Sequence, residues 1–563
     1  MIGLISATAA GAAARDRLAA AWPRRTRVYE GPVGDAVRAA FAECEQLVCF
    51  LATGAVVRLV APLLGGKATD PGVVCVDEGG RFAVSLVGGH AGGANELARR
   101  VGGVLGAEPV VTTATDAVGV PGLDTLGLPV EGDVAGVTRA LLDGEPVTLD
   151  AEVPWPLPAL PFAARGGHTV RLTDRAVRPQ GGEVLLRPPS LVVGVGASRG
   201  VSADEVCALV EGALRDAGLS ARSVAALATV DAKRDEPGIV EAAARFGVPV
   251  LTHPAEELAK VAVPNPSGAP LTAVGTPSVA EAAALARGGE LLVPKRKSAR
   301  ADGHAAMATC AVVRRPARGR LAVVGLGPGA RDLLTPRATA ELRRAAVLVG
   351  LDQYVDQIRD LLRPGTRVLE SGLGAEEERA RTAVVEARRG QAVALIGSGD
   401  AGVYAMASPA LAEASDDIDV IGVPGVTAAL AAGAILGAPL GHDHVSISLS
   451  DLHTPWEVIE RRVRAAAEAD LVVTFYNPRS RGRDWQLPKA LAILAGHREP
   501  GTPVGVVRNA SRPEESSRVT TLAGLDPATV DMMTVVTVGN TATRIVAGRM
   551  VTPRGYRWQG EAR

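Results

Sequence analysis

Short apolar runs recur along the chain, each stopped by glycine, a hydroxyl or an amide, with helical patterns between them. Strands alternating with helices predict α/β architecture. The clearest run spans 321–324 and leads directly into Gly325-Leu326-Gly327-Pro328-Gly329. It is too short for a helix and reads as a buried strand. The glycines let a ligand approach the main chain closely. Pro328 stiffens the loop and removes one N–H donor, and Asp332 with Thr335-Pro336 opens a helix. Further strands are predicted over 346–350, 368–369, 392–396, 418–423, 471–474 and 504–507. The later ones end in Gly397-Ser398-Gly399-Asp400-Ala401-Gly402-Val403-Tyr404, Pro424-Gly425-Val426-Thr427, Phe475-Tyr476-Asn477-Pro478 and Arg508-Asn509-Ala510-Ser511-Arg512. Polar loops at successive strand ends describe one cleft built from many turns.

The first half of the chain repeats the pattern. Strands over 2–5 and 47–51 enclose a helix over 35–45, and 54–59 reads as another helix. Gly65-Gly66-Lys67 invites a phosphate-loop reading, which fails. Ala61 stands where the first glycine belongs, and Ala68 replaces the hydroxyl that would hold Mg²⁺. Strands over 73–76 and 82–87 follow, the second running into Gly88-Gly89-His90-Ala91-Gly92-Gly93-Ala94-Asn95-Glu96. A histidine exposed in such a turn has a near-neutral pKa suited to proton transfer; the plainer reading is a solvated turn residue. Another strand ends in Thr112-Thr113-Ala114-Thr115-Asp116. Residues 130–190 are proline-rich and weakly periodic, as in a small irregular domain or linker. Strand, glycine turn and helix resume at Leu191, with Ser202 and Glu205 forming a capping box. Lys295-Arg296-Lys297 with Arg300 reads as a solvated face, and 314–320 as a polar hinge between domains.

Composition narrows the function. A chain of 563 residues, 47% hydrophobic and 21% charged, is an ordinary globular multidomain protein. A net charge of −1 argues against nucleic-acid or membrane-surface partners. None of the five cysteines forms a CxxC pair, so buried free thiols are expected and no metal site. The N-terminal stretch lacks a basic leader, and the apolar run over 427–441 is too short to span a membrane, which together predict a cytoplasmic protein.

Gly325-Leu326-Gly327-Pro328-Gly329, Ser398-Gly399-Asp400-Ala401-Gly402, Val423-Pro424-Gly425-Val426-Thr427 and Phe475-Tyr476-Asn477-Pro478 resemble the tetrapyrrole methylases over 319–557. Ala401, where many relatives carry proline, and Ser450-Asp451-Leu452-His453-Thr454-Pro455-Trp456-Glu457 resemble the precorrin-3B C-17 methyltransferase branch. Lys67-Ala68-Thr69-Asp70-Pro71, the stretch around His90 and Thr112-Thr113-Ala114-Thr115-Asp116 resemble cobalt-precorrin-5A hydrolase. Residues 191–315 resemble that enzyme's C-terminal domain, with Ser198 in place of an expected cysteine. The implied order is a hydrolase-like domain over 1–130, a middle segment over 131–190, the hydrolase C-terminal-like domain over 191–315 and a methylase over 319–557.

The resemblance implies a two-lobed methylase, usually dimeric, with S-adenosylmethionine (SAM) between its lobes. It transfers methyl to carbon 17 of the macrocycle with ring contraction. It places SAM on Gly327, Pro328, Gly399, Asp400, Val403, Thr427, Ala428, Tyr476 and Ala510, largely through main-chain amides. The macrocycle's carboxylates call for arginines at the mouth. Arg479, Arg481 and Arg483 are candidates, with a solvated loop as the alternative. His453 reads as a surface histidine, with proton transfer during ring contraction as the alternative. For the first half the resemblance implies lactone opening with loss of acetaldehyde, with His90 as base supported by Glu96, Asp116 or Lys67. Two rivals stand: a methyltransferase whose first half only binds corrinoid, and a nicotinamide oxidoreductase built on the loose fingerprint Gly325-x-Gly327-x-x-Ala330.

Overall fold

A computed structural model describes residues 1–66, 69–89, 92–113, 118–267, 271–272, 275–299, 305–480 and 482–555. It divides into two compact units. One holds Met1–Trp155, Leu160–Ala317 and Arg363–Gly365; the other holds Pro156–Ala159, Arg318–Leu362 and Thr366–Arg563.

Among the described residues the first unit contains three sheets. In the six-stranded sheet, Thr26–Tyr29, Ile2–Ser6, Gln46–Phe50 and Gly72–Val76 run parallel. Phe82–Val87 then pairs antiparallel with Gly72–Val76, and Glu108–Val110 lies parallel to Phe82–Val87. This reversal brings the ends of the last two strands to the edge where Gly72–Val76 begins. Residues 130–190, expected to be irregular, instead form a four-stranded sheet of Val130–Gly132, Glu183–Leu186, His168–Leu172 and Val147–Ala151 with helix Val134–Asp143. In the third sheet Val250–His253, Val224–Val230 and Leu191–Ala197 run parallel, followed by Ala308–Arg314 and Glu290–Lys297. Ser202 caps helix Ala203–Asp216 by accepting from the Glu205 N–H at 3.2 Å. The Glu205 carboxylate accepts from Ser298 and the Met307 N–H at 2.5 and 2.8 Å, fastening the helix start to the segment beyond Glu290–Lys297.

The second unit has two larger sheets. Arg367–Ser371, Val347–Leu351, Ala392–Gly397, Arg320–Gly325 and Asp419–Val423 are all parallel. Arg320–Gly325, first in sequence, lies between Ala392–Gly397 and Asp419–Val423, so the loops leaving these three strands share one edge. Thr335 caps the next helix, Pro336–Arg344, by accepting from the Ala338 N–H at 3.1 Å, with proline at its first position. The other sheet orders His444–Ser448, Val472–Tyr476, Thr534–Val538, Pro503–Arg508 and Ser516–Thr521. Val472–Tyr476 and Pro503–Arg508 are each antiparallel to Thr534–Val538, so both end at the same edge.

All five cysteines are free and buried. Burial pushes the thiols of Cys49 and Cys310 up to about 12, out of the thiolate range. Among the described residues no helix is long and apolar enough to cross a membrane, and no cluster of His, Cys, Asp and Glu has the makings of a metal site.

Candidate functional site

The parallel sheet of the second unit packs its strand-end loops against one another at main-chain contact. Gly327 and Gly399 exchange hydrogen bonds, N–H to carbonyl, at 3.0 and 2.8 Å. A Cβ on Gly325 would lie 2.7 Å from the Gly399 carbonyl oxygen, and one on Gly425 only 2.2 Å from the same atom. Gly327 and Gly399 have φ of 75° and 69°, in the left-handed region that favours glycine. The sequence therefore needs glycine at these four positions to bring three loops together. Asp400 fixes the arrangement, accepting from the Gly402 N–H at 2.8 Å and the Gly425 N–H at 3.0 Å.

Two tyrosines extend this knot toward the second sheet. The Tyr476 hydroxyl lies 2.6 Å from Thr427 Oγ1 and accepts from the Ala429 N–H at 2.8 Å. Thr427 precedes helix Ala428–Leu436, and the Ala428 N–H at its first position has no acceptor among the described residues. Tyr404, 55% exposed with φ 52°, donates to the Ser446 carbonyl at 2.8 Å. Its ring centroid lies 5.2 Å from that of Tyr476. Ala510 and Ala428 pack into one small apolar cluster with Ala431, Leu436 and Val507.

Of the residues singled out in the sequence, Gly327, Pro328, Gly399, Asp400, Val403 and Thr427 thus lie in the strand-end loops of the parallel sheet and Ala428 opens the helix that follows, whereas Tyr476 and Ala510 stand at strand ends of the other sheet, Tyr476 bonded to Thr427 and Ala429 and Ala510 packed in one cluster with Ala428. The N–H groups of Gly327 and Gly399 are already engaged with each other, which leaves the Ala428 N–H as the open donor of the helix start. The arginines separate. Arg483 is buried, and its guanidinium donates to the carbonyls of Leu449 and Asn477 at 3.0 and 2.5 Å. Burial presses its pKa below the ordinary arginine value, and it braces the loop. Arg479 is half-buried and donates to the Ala528 carbonyl at 2.6 Å. Arg481 lies outside the described residues. His453 is exposed.

Sequence reasoning passed over Arg512 and Tyr404 as site residues. Arg512 donates from Nε to the Pro328 carbonyl at 2.5 Å and from Nη2 to Ser398 Oγ at 2.8 Å. A cavity of about 360 Å³ lies at the opposite, amino-terminal ends of His444–Ser448 and Val472–Tyr476, lined by His442, Asp443, Asp470 and Asn540. It shares no residue with the glycine loops.

In the first unit, three segments singled out in the sequence meet at the reversed edge of the six-stranded sheet. A Cβ on Gly72 would sit 2.2 Å from the Gly92 carbonyl oxygen, so the two stretches touch through their main chains. Gln46 Nε2 donates to the carbonyls of Gly92 and Gly93 at 3.1 and 3.2 Å. Buried Asn95 accepts from Ser85 Oγ at 2.7 Å and donates to Thr113 Oγ1 at 3.1 Å, joining the glycine stretch to the threonine stretch. Asp70 gathers the N–H groups of Gly65 and Gly66 at 2.9 and 3.1 Å. Glu96 is exposed on the first turn of helix Ala94–Leu105, 3.8 Å from Arg99. Lys67, His90 and Asp116 lie outside the described residues.

The profile of the tetrapyrrole (corrin/porphyrin) methylases matches residues 320–526. Profiles for the N-terminal and C-terminal segments of cobalamin synthesis G match 35–116 and 191–313. The probable cobalt-factor III C(17)-methyltransferase of Salmonella typhimurium is 46% identical over 239 residues, which are 42% of this chain and 99% of that protein. The precorrin-3B C(17)-methyltransferase of a Sinorhizobium species is 41% identical over 250 residues, 42% of this chain and 97% of that protein. The cobalamin biosynthesis protein CobIJ of Mycobacterium tuberculosis is 44% identical over 254 residues, 43% of this chain and only 50% of its own length. Near-complete coverage of two relatives at this identity, with a family profile that spans all three interlocked glycine loops, means that the chain belongs, through its C-terminal half, to the tetrapyrrole methylases.

Proposed function

We propose that this chain carries two activities of corrin-ring construction. The C-terminal half transfers a methyl group from SAM to carbon 17 of the macrocycle, with ring contraction. The N-terminal half opens a lactone on the contracted ring and releases acetaldehyde. The observation that carries the first assignment is the knot of Gly325, Gly399 and Gly425, because three loops locked at main-chain contact hold one rigid backbone edge, with the open Ala428 N–H beside it, against which a donor can lie. SAM supplies an electrophilic sulfonium methyl, and the macrocycle supplies the carbon nucleophile. The protein's contribution is therefore alignment of the two, held rigid by the Asp400 and Tyr476 hydrogen bonds.

For the second activity, the convergence of the segments around Gly66, Gly89 and Thr113 on one sheet edge supports a single site, for which His90 is the proposed base. Lys67, Glu96 and Asp116 are its proposed supports. We place the protein in the cytoplasm as a homodimer formed through the methylase.

The test uses the full-length protein with methyl-labelled SAM and two substrates. Label should enter the uncontracted macrocycle, and acetaldehyde should be released from a lactone-bearing cobalt-corrinoid. Methyl transfer without acetaldehyde would reduce the first half to a corrinoid-binding module. Absence of methyl transfer with authentic substrate would overturn the C-terminal assignment.

A further inference from the structure

The loop after strand Pro503–Arg508 has an unusual backbone. Asn509, Ser511 and Glu514 have φ of 51°, 59° and 61°, a region that residues other than glycine rarely occupy. Such conformations persist where the surroundings fix them. Here the Asn509 N–H donates to the Met533 carbonyl at 3.0 Å, the Ser511 N–H to Glu515 Oε2 at 2.6 Å and the Arg512 N–H to the Asn509 carbonyl at 2.9 Å. The result is an Arg512 side chain that crosses from this loop to two of the three glycine loops of the parallel sheet. Its stem takes the space beside Gly329, where a Cβ would lie 2.5 Å from Arg512 Cγ. Gly329, at φ 142°, is thereby suited to admit the arginine.

Salt bridges hold arginines elsewhere in this unit. Arg388 and Arg508 each meet a carboxylate, Asp417 and Asp531, at 2.8 and 2.7 Å. Arg512 meets only neutral acceptors, the Pro328 carbonyl and the Ser398 hydroxyl, and pairs with no carboxylate among the described residues. A guanidinium has five N–H donors. Two are used here, and the rest have no acceptor among the described residues. A half-buried guanidinium makes its strongest hydrogen bonds to a carboxylate, in a two-pronged geometry that this free edge permits. Pro328 and Ser398 directly adjoin Gly327 and Gly399, the centre of the knot.

We propose that Arg512 binds a carboxylate of the ligand seated on the glycine loops. The inference rests on the methyltransferase reading. Two ligands bring that chemistry: the amino-acid end of the methyl donor, and the acidic side chains of the macrocycle.

Calorimetric titration of full-length wild type, Arg512→Gln and Arg512→Lys with S-adenosylhomocysteine and with 5′-methylthioadenosine separates the cases, since the second compound lacks the carboxylate. If the donor's carboxylate is bound, Arg512→Gln weakens S-adenosylhomocysteine about tenfold or more and leaves methylthioadenosine unchanged. If the macrocycle's is bound, both nucleosides are unaffected and KM for the tetrapyrrole rises about tenfold, with kcat little changed. Arg512→Lys, which keeps the charge and loses the fork, falls between. Ser398→Ala removes a neutral acceptor, keeps the cation and retains the discrimination. The proposal is overturned if the two nucleosides weaken equally, or if neither affinity nor KM moves beyond about twofold; Arg512 is then only a strap between loops. Failure of wild type to bind S-adenosylhomocysteine would sink the methyltransferase reading itself.

Discussion

Gly425 shows how tightly a single residue is constrained at this site. The obstacle to a Cβ is a carbonyl oxygen 2.2 Å away, on a loop already bonded to its neighbour, so neither side can yield cheaply. Gly425→Ala should cost about 1–3 kcal/mol, as overpacking in a close-packed region does. It should also weaken S-adenosylhomocysteine binding by separating the Gly399 and Gly425 loops. Gly422, three residues earlier and within strand Asp419–Val423, has open space around its Cβ position and no positive φ. Gly422→Ala should therefore be neutral in both denaturant unfolding and ligand titration. Equal effects from the two substitutions would mean that the close approach at Gly425 is not what shapes the site.

At the scale of elements, the ion pair of buried Asp174 with half-buried Arg314 closes the sheet around Leu191–Ala197. Arg314, last in Ala308–Arg314 and opposite Leu191 in register, donates to the Asp174 carboxylate at 2.7 and 2.8 Å, and Ser190 Oγ donates to it at 2.9 Å. Burial alone would raise the Asp174 pKa; the hydrogen bonds from Arg314 and Ser190 outweigh it and hold the carboxyl below its ordinary value. The stability this contributes is present above the unfolded-chain pKa of about 3.9 and is lost as pH falls through the lower folded value. Asp174→Asn should cost about 1–3 kcal/mol at neutral pH, because Arg314 loses its buried carboxylate partner and keeps, among the described residues, only Glu290, 2.9 Å away and exposed. It should also flatten the acid limb of the stability profile, as read by urea unfolding from pH 6 to pH 3. An unchanged acid limb would assign the acid sensitivity to other carboxylates.

The elements show where sequence patterning succeeds. Runs such as 392–396 and 504–507 were legible because strands buried in the middle of a sheet need unbroken apolar residues, whether their neighbours run parallel, as for the first, or antiparallel, as for the second. The observed strands, Ala392–Gly397 and Pro503–Arg508, differ only at ends set by hydrogen bonding. The sheet within 130–190 was hidden because its strands are short, such as Val130–Gly132, and separated by prolines. The glycine loops were visible as motifs, yet their interlocking follows from strand order, with Arg320–Gly325 placed between two later strands. Arg512 escaped notice because its partner Pro328 is 184 residues away in the chain, a separation that no local pattern reports.

For the whole molecule, the division into two compact units bears on whether the two proposed activities depend on each other. The glycine-loop knot and its tyrosines lie wholly in one unit, and the Asn95 junction lies wholly in the other. Among the described residues, the hydrogen bonds named for each site come from its own unit, so disabling one should leave the chemistry of the other intact. Asp400→Ala leaves two N–H groups of the loop knot without their acceptor and should reduce methyl transfer at least tenfold while acetaldehyde release stays within about twofold. Asn95→Ala should do the reverse, because it cuts the link between Ser85 and Thr113. Measuring both activities in both full-length variants distinguishes independent sites from a coupled pair. If either substitution suppresses both reactions without lowering thermal stability, the two halves communicate, and fusion into one chain serves the chemistry as well as co-production of the two catalysts.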